Sequence, residues 1–130
     1  METTKKQILV VEDSQDLREL ITRMLVFENY DILVAKDGEE GLEIVKSQKL
    51  DLILLDIMMP GKSGIEVLEE IRATRDSKIK DLPIVMVTAK SSIADVDAAL
   101  FAGATSYIVK PFRAAALKAK IQSIFDNLAN

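Results

Sequence analysis

The most constraining feature of the sequence is an apolar run that carries one acid to a sharp turn. Residues 52 to 55 are four consecutive aliphatic side chains, Asp56 follows them, and Pro60 and Gly61 come shortly after. Unbroken runs of this kind are typical of strands buried on both faces of a parallel sheet, and a Pro-Gly pair marks a turn. We therefore predict a buried strand ending at Asp56. An aspartate at a turn is usually structural, so the rest of the chain must decide whether Asp56 has a chemical role.

Length and charge exclude several classes of protein. The 130 residues fit one domain, and we predict a single domain over 1–130 with no output domain in this chain. A net charge of -4 disfavours direct nucleic-acid binding, which needs a basic surface. No apolar run approaches the roughly 20 residues that cross a bilayer, and residues 1–7 are too polar for a secretory signal. We expect a cytoplasmic protein without membrane insertion.

The chain contains neither cysteine nor histidine. Disulfides and thiol catalysis are therefore excluded, and so are the usual general base and the commonest transition-metal ligand. Catalysis or metal binding must use carboxylates, hydroxyls, lysines and backbone oxygens. A hard cation such as Mg²⁺ is the natural partner of that donor set.

Short aliphatic runs alternate with segments of helical periodicity along the whole chain. The runs predict strands at residues 8–11, 32–35, 52–55, 84–87 and 106–109. Five helices are predicted between and after them, and the first four have polar side chains at their N-caps: Ser14, Asp37, Ser63 and either Ser91 or Ser92. The last helix starts at Arg113 and Ala114 without a strong polar cap. The fold class is α/β, a doubly wound parallel sheet covered on both faces.

Helix limits and buried positions follow from the same spacing. The first helix is expected to end near Asn29, and the charged segment 72–81 to form a helix end and a loop. Apolar residues at helical spacing are predicted to face the core, among them Leu20, Leu100 and Leu128.

Parallel strands end at the same edge of a sheet, and polar residues follow four of the five predicted strands close to this point. They are Glu12, Asp13, Asp56, Thr88 and Lys110. Ligands of doubly wound sheets bind at that edge. Crowded carboxylates repel one another unless a cation lies between them. We expect Mg²⁺ there, bound by Asp13, Asp56 and the Met58 backbone carbonyl, with Glu12 reaching it through water.

Asp56 is the best candidate nucleophile, because its strand is central and its carboxylate projects into the crevice. A carboxylate can form an aspartyl phosphate, and this reaction needs mainly positioning and charge neutralisation. Lys110 and the metal would neutralise phosphoryl oxygens, and the Thr88 hydroxyl would donate to one of them.

Four motifs at these strand ends make the chain resemble a receiver domain of the two-component response-regulator family over almost its whole length. They are Val10-Val11-Glu12-Asp13, Leu55-Asp56-Ile57-Met58-Met59-Pro60-Gly61 with Gly64, Val87-Thr88-Ala89, and Lys110-Pro111-Phe112. The resemblance implies a CheY-like, flavodoxin-like fold with strand order 2-1-3-4-5. It also implies roles for the residues of the edge: Asp56 as phosphoacceptor, Glu12 and Asp13 as the acidic pocket, Thr88 as the switch hydroxyl, the Ala89 backbone and Lys110 as phosphate partners, Tyr107 as the switch aromatic, and a cis bond before Pro111.

The resemblance further implies a signalling cycle. Phosphorylation is expected to draw Thr88 towards the phosphoryl group, let Tyr107 turn inward, and change the surface of the fourth helix, fifth strand and fifth helix. Mg²⁺-dependent self-phosphorylation from a donor and autodephosphorylation are expected, with Met58 and Lys90 flanking the hydrolytic water. Since the chain has no histidine, a histidine kinase or a histidine phosphotransfer protein must supply the phosphoryl group in trans. A downstream protein would then bind, and homodimerisation on phosphorylation stays open.

Two other functions compete with this hypothesis. An interaction module could keep the fold without being phosphorylated, although all the expected pocket residues are present. A phosphatase with an aspartyl nucleophile typically carries Asp-x-Asp, and Met58 occupies the place of its second acid.

Overall fold

The computed structural model describes residues 5–89 and 92–129, which form one sheet covered by helices. Its elements, in chain order, are β1 (Lys6–Val11), α1 (Gln15–Leu25), β2 (Tyr30–Ala35), α2 (Gly38–Ser47), β3 (Leu52–Leu55), α3 (Gly64–Arg72), α4 (Ser77–Lys80), β4 (Ile84–Thr88), α5 (Ile93–Phe101), β5 (Ser106–Val109) and α6 (Ala114–Ala129). All strand pairs are parallel, and the order is β2-β1-β3-β4-β5. The predicted fold class and strand order are confirmed.

The central strands are buried because both faces of the sheet are covered. Leu9, Ile53 and Leu55 pack on one face with apolar residues of α2, α3 and α5. Their neighbours along the strands, such as Val10 and Leu54, pack on the other face with α1 and α6. Apolar side chains are needed on both sides of such strands, which explains the unbroken runs in the sequence.

Side-chain caps begin the helices where the sequence predicts them. Ser14 accepts a hydrogen bond from the Leu17 N–H at 3.3 Å, and Asp37 accepts one from Glu40 at 2.8 Å. The Ser63 and Ser92 hydroxyls cap α3 and α5 in the same way. A cap of this type stabilises a helix by about 1 kcal/mol. The alternative cap, Ser91, lies outside the described residues.

The described residues contain six helices, so the prediction of five is wrong. The additional helix is the single turn α4, which begins where Asp76 accepts a hydrogen bond from the Lys78 N–H at 2.9 Å. The many charged residues between 72 and 81 made this segment look like a solvated loop, so Asp76 was not recognised as an N-cap. The first helix also ends earlier than predicted, at Leu25, because the chain turns before Asn29, whose φ is 60°.

Three residues predicted to be buried are exposed. Leu20 is 47% exposed, Leu100 46% and Leu128 64%. In α5 only Ala99 is buried, so helical spacing alone does not define how much of an apolar stripe the sheet covers. Within the described part of the chain, no helix combines the length and apolarity needed to cross a bilayer.

Candidate functional site

Backbone hydrogen bonds hold the ends of β1, β2 and β3 together. The Glu12 N–H donates to the Ala35 carbonyl at 3.0 Å, and the Asp56 N–H donates to the Val11 carbonyl at 3.1 Å. Val11 and Leu55 are register partners, so the two acids that follow them emerge side by side. The parallel ladder thus places Glu12 and Asp56 at one edge, as the sequence predicts.

A tight loop after β3 orients the Asp56 carboxylate. The Met58 N–H donates to Asp56 Oδ1 at 3.2 Å, and the Gly64 N–H donates to the Ile57 carbonyl at 2.9 Å. A Cβ on Gly64 would lie 2.0 Å from the Asp56 carbonyl oxygen, closer than any side chain tolerates. Glycine is therefore required where α3 begins.

Three carboxylates converge at this edge. Glu12, Asp13 and Asp56 each offer an oxygen, and these oxygens all lie within 4.8 Å of one another. Glu12 is only 3% and Asp56 only 4% exposed, while Asp13 is exposed. A hydrogen bond with Glu12, partial burial and the Glu12 charge raise the pKa of Asp13. A hard divalent cation bound between the three carboxylates would relieve their mutual repulsion, so the cluster fits Mg²⁺.

Lys110 partly neutralises the cluster. Its Nζ lies 2.9 Å from Glu12 Oε1 and 3.1 Å from Asp56 Oδ2. Burial lowers the pKa of the Lys110 amine, but its hydrogen bonds and the two carboxylate charges outweigh burial and raise the pKa above its ordinary value. The Lys110 N–H donates to the Thr88 carbonyl at 2.8 Å. The peptide bond between Lys110 and Pro111 is cis, as predicted.

Thr88 and Tyr107 lie on the neighbouring strands β4 and β5. Thr88 is fully buried at the end of β4, and Ala89 follows it directly. Tyr107 is the register partner of Met86 and is half-buried. Burial raises the pKa of Tyr107, and the charges of Asp95 and Asp56 raise it further.

The structure brings Glu12, Asp13, Asp56 and Lys110 together, with Thr88 on the adjacent strand. Lys90 lies outside the described residues, and the side chain of Met58 is 59% exposed beside the site.

Sequence reasoning missed two supports of Glu12. The Ser14 N–H donates to Glu12 Oε2 at 3.0 Å, and the Arg18 guanidinium donates to the Glu12 carbonyl at 2.7 Å. Ser14 was recognised only as a helix cap. Arg18 carried no sequence signal, because its spacing places it among the polar residues of α1.

Comparison with known sequences assigns the chain to a family. The model of the response regulator receiver domain matches residues 8–122. Response regulator MprA of Mycolicibacterium vanbaalenii is 40% identical over 118 residues, which cover 91% of this chain and 49% of that protein. DNA-binding response regulator MtrA of Mycobacterium tuberculosis is 42% identical over 123 residues, covering 95% of this chain and 52% of that protein. The chain spans about half the length of these curated relatives.

Solved structures agree with the sequence comparisons. Chemotaxis protein CheY4 of Vibrio cholerae superimposes with a TM-score of 0.86 at 30% identity, covering 92% of this chain and 98% of that one. The BeF3-activated N-terminal receiver domain of Klebsiella pneumoniae RstA gives a TM-score of 0.81 at 32% identity, covering 90% of this chain and 96% of that one. The likeness extends over nearly the whole chain in both cases.

Proposed function

Because the chain belongs to the family of response regulator receiver domains, we propose that it forms one receiver domain in which Asp56 accepts a phosphoryl group in a two-component phosphorelay. One observation carries the proposal: Asp56 is 4% exposed, yet it lies in a three-carboxylate cluster and is paired with Lys110 at 3.1 Å. A purely structural acid in such a site would be destabilised by the two neighbouring carboxylates. A nucleophile that must bind a cation and a phosphoryl group needs that environment.

The residues that would hold Mg²⁺ are Asp13, Asp56 and the Met58 carbonyl, with Glu12 acting through a water molecule. Support comes from the oxygen-only donors and their convergence within 4.8 Å, which suit this ion. When bound, Mg²⁺ would neutralise the charge of the phosphoryl oxygens.

The residues of this chain would then position the transfer. A carboxylate oxygen of Asp56 forms the new bond to phosphorus, while the bond from phosphorus to the donor imidazole nitrogen breaks. The Met58 N–H keeps Oδ1 oriented, and Lys110 exchanges a carboxylate partner for a phosphoryl oxygen. The Thr88 hydroxyl and the Ala89 N–H would donate to the remaining oxygens. Met58 and Lys90 would flank the water that later hydrolyses the aspartyl phosphate, so that the domain also dephosphorylates itself.

The donor would be a histidine kinase or a histidine phosphotransfer protein acting in trans, since this sequence has no histidine.

The surface that changes on phosphorylation and binds a downstream protein would consist of α5, β5 and α6. The orientation of Tyr107 would depend on the position of Thr88. Ile93 and Phe101 of α5 are 81% and 95% exposed, which suits a downstream protein or a second copy bound after phosphorylation. We also propose a cytoplasmic location and no direct nucleic-acid contact by this domain, in line with its net charge of -4.

The proposal is tested by incubating the protein with acetyl phosphate and Mg²⁺ and measuring its intact mass. A gain of one phosphoryl unit is expected for the wild type, with complete loss of the gain in Asp56→Asn and after removal of Mg²⁺ by a chelator. An unmodified wild type would instead favour an interaction module that is not phosphorylated. Persistent labelling of Asp56→Asn would place the nucleophile on another acid of the cluster.

A further inference from the structure

The backbone N–H, the backbone carbonyl and the carboxylate of Glu12 all form hydrogen bonds. Its N–H donates to the Ala35 carbonyl at 3.0 Å. Its carboxylate accepts from the Ser14 N–H at 3.0 Å and from Lys110 Nζ at 2.9 Å. Its carbonyl oxygen accepts from Arg18 Nη1 at 2.7 Å, the shortest of these bonds. The last contact has no role in the proposed chemistry, since Arg18 bonds the Glu12 backbone and not the carboxylates that would bind Mg²⁺ or the phosphoryl group.

Arg18 is firmly placed on α1. Its N–H donates to the Ser14 carbonyl at 2.9 Å, and the Thr22 hydroxyl donates to its carbonyl at 2.8 Å. The side chain is half-buried and borders an open groove of about 530 Å³, which Arg23 also lines. The guanidinium thus has access to solvent but donates to the Glu12 carbonyl directly after β1. Its planar group is suited to hold an acceptor in a defined direction.

We infer that Arg18 is a positioning residue for the metal ligand Asp13. The peptide unit that joins residues 12 and 13 is planar, so the Glu12 carbonyl and the Asp13 N–H turn together. A carbonyl held by Arg18 therefore sets the direction in which the chain enters Asp13. The Asp13 side chain is exposed, and this backbone restraint keeps its carboxylate within reach of Glu12 and Asp56.

The inference rests on the proposed function, because it concerns the Mg²⁺ that the acidic cluster would hold. The proposed effect of Arg18 on Mg²⁺ affinity differs from that of any positive charge near the site. Arg23 lies on the same helix, carries the same charge and is exposed, so Arg23→Gln removes an equal charge without touching Glu12. Arg18→Lys keeps the charge and can still donate to one carbonyl, but it lacks the planar group.

The experiment compares the wild type, Arg18→Gln, Arg18→Lys and Arg23→Gln as full chains. Mg²⁺ affinity is measured by calorimetry, and the Mg²⁺ dependence of labelling by acetyl phosphate is followed by intact mass. In Arg18→Gln the Kd for Mg²⁺ is expected to rise about tenfold or more, as for other outer partners of metal ligands. The labelling rate at saturating Mg²⁺ is expected to stay close to that of the wild type. Arg18→Lys should lie in between, and Arg23→Gln should match the wild type.

A readout without metal separates positioning from stability. In the metal-free protein, the amide resonances of Asp13 and Ser14 are expected to shift in Arg18→Gln, while those around Arg72 at the opposite edge stay in place. An unchanged Kd in Arg18→Gln, or an equal rise in Arg23→Gln, overturns the inference. If Arg18→Gln does not fold, Arg18→Lys decides: a raised Kd supports the inference and an unchanged Kd overturns it. A wild type that binds no Mg²⁺ overturns the proposed metal site itself, whereas the other failures leave that site standing.

Discussion

Two half-buried cations lie at opposite edges of the same sheet and have different partners. Lys110 follows β5 and bonds two carboxylates, those of Glu12 and Asp56. Arg72 ends α3 near the starts of β4 and β5, and its guanidinium donates to three backbone carbonyls. The acceptors are Gly103 at 2.9 Å and Lys80 and Leu82 at 2.7 Å each. One cation is paired with two acids of the proposed phosphorylation site, and the other with neutral groups of the backbone.

The pKa values of the two cations shift in opposite directions. Burial lowers the pKa of Arg72, and the Asp81 charge offsets only part of that effect. In Lys110 the neighbouring carboxylates outweigh burial, and the pKa rises. Carbonyl dipoles compensate a buried charge less than full negative charges do. The nature of the acceptors therefore distinguishes a cation that holds the fold together from one that is available to a ligand.

The largest effect on stability is expected from Arg72→Met. The substitution leaves several backbone carbonyls without their donor, and each partly buried unsatisfied group costs about 1 to 3 kcal/mol. We expect a loss of roughly 3 kcal/mol in the free energy of unfolding, measured by urea denaturation, with an unchanged Kd for Mg²⁺. Arg75→Met is the matched control, because Arg75 is exposed nearby. A weakened Mg²⁺ affinity in Arg72→Met would show that the two edges are coupled and break the distinction.

A smaller effect on stability and a larger one on signalling are expected from Lys110→Met. The change removes the cation between two buried acids, at a cost of about 1 to 2 kcal/mol, between the values for surface and buried ion pairs. Mg²⁺ should restore most of that loss, because it supplies positive charge to the same carboxylates. Thermal unfolding with and without Mg²⁺ measures this, and nuclear magnetic resonance should show that phosphoryl-induced changes on β5 are lost. Failure of Mg²⁺ to stabilise the variant would place the metal away from Glu12 and Asp56.

The smallest effect is expected from Asp13→Asn. A hydrogen bond with Glu12, partial burial and the Glu12 charge raise the pKa of Asp13. The substitution removes the charge repulsion between Asp13 and Glu12, so the metal-free protein should gain about 0.5 kcal/mol, the scale of an exposed charge pair. The same variant should lose much of the stabilisation that Mg²⁺ provides, because it lacks one ligand. Denaturation curves at low and high Mg²⁺ give both values. Equal stabilisation by Mg²⁺ in the variant and the wild type would remove Asp13 from the proposed ligands.

Much of the fold was predictable because buried parallel strands require unbroken apolar runs and helices begin at polar caps. The short α4 was missed, since its Asp76 cap lies among other charges. The exposure of Leu20 and Leu128 was missed as well, because helical spacing defines a stripe but not how much of it the sheet covers. The candidate site was predictable in its acids and lysine, because these residues follow strands whose ends must meet at one edge.

Local sequence patterns specify the order of the elements, the burial of the central strands and the residue types at their ends. The packing of the elements sets which groups those residues contact. The contacts of Lys110 Nζ with Glu12 and Asp56 depend on distances between segments far apart in the chain. The same holds for the bonds of Arg72 to the backbone at the other edge. The bond from Arg18 to the Glu12 carbonyl depends on the direction of the turn between β1 and α1. Local patterns report the period of burial along one element, whereas the partner of a charged side chain is set by how several elements pack together.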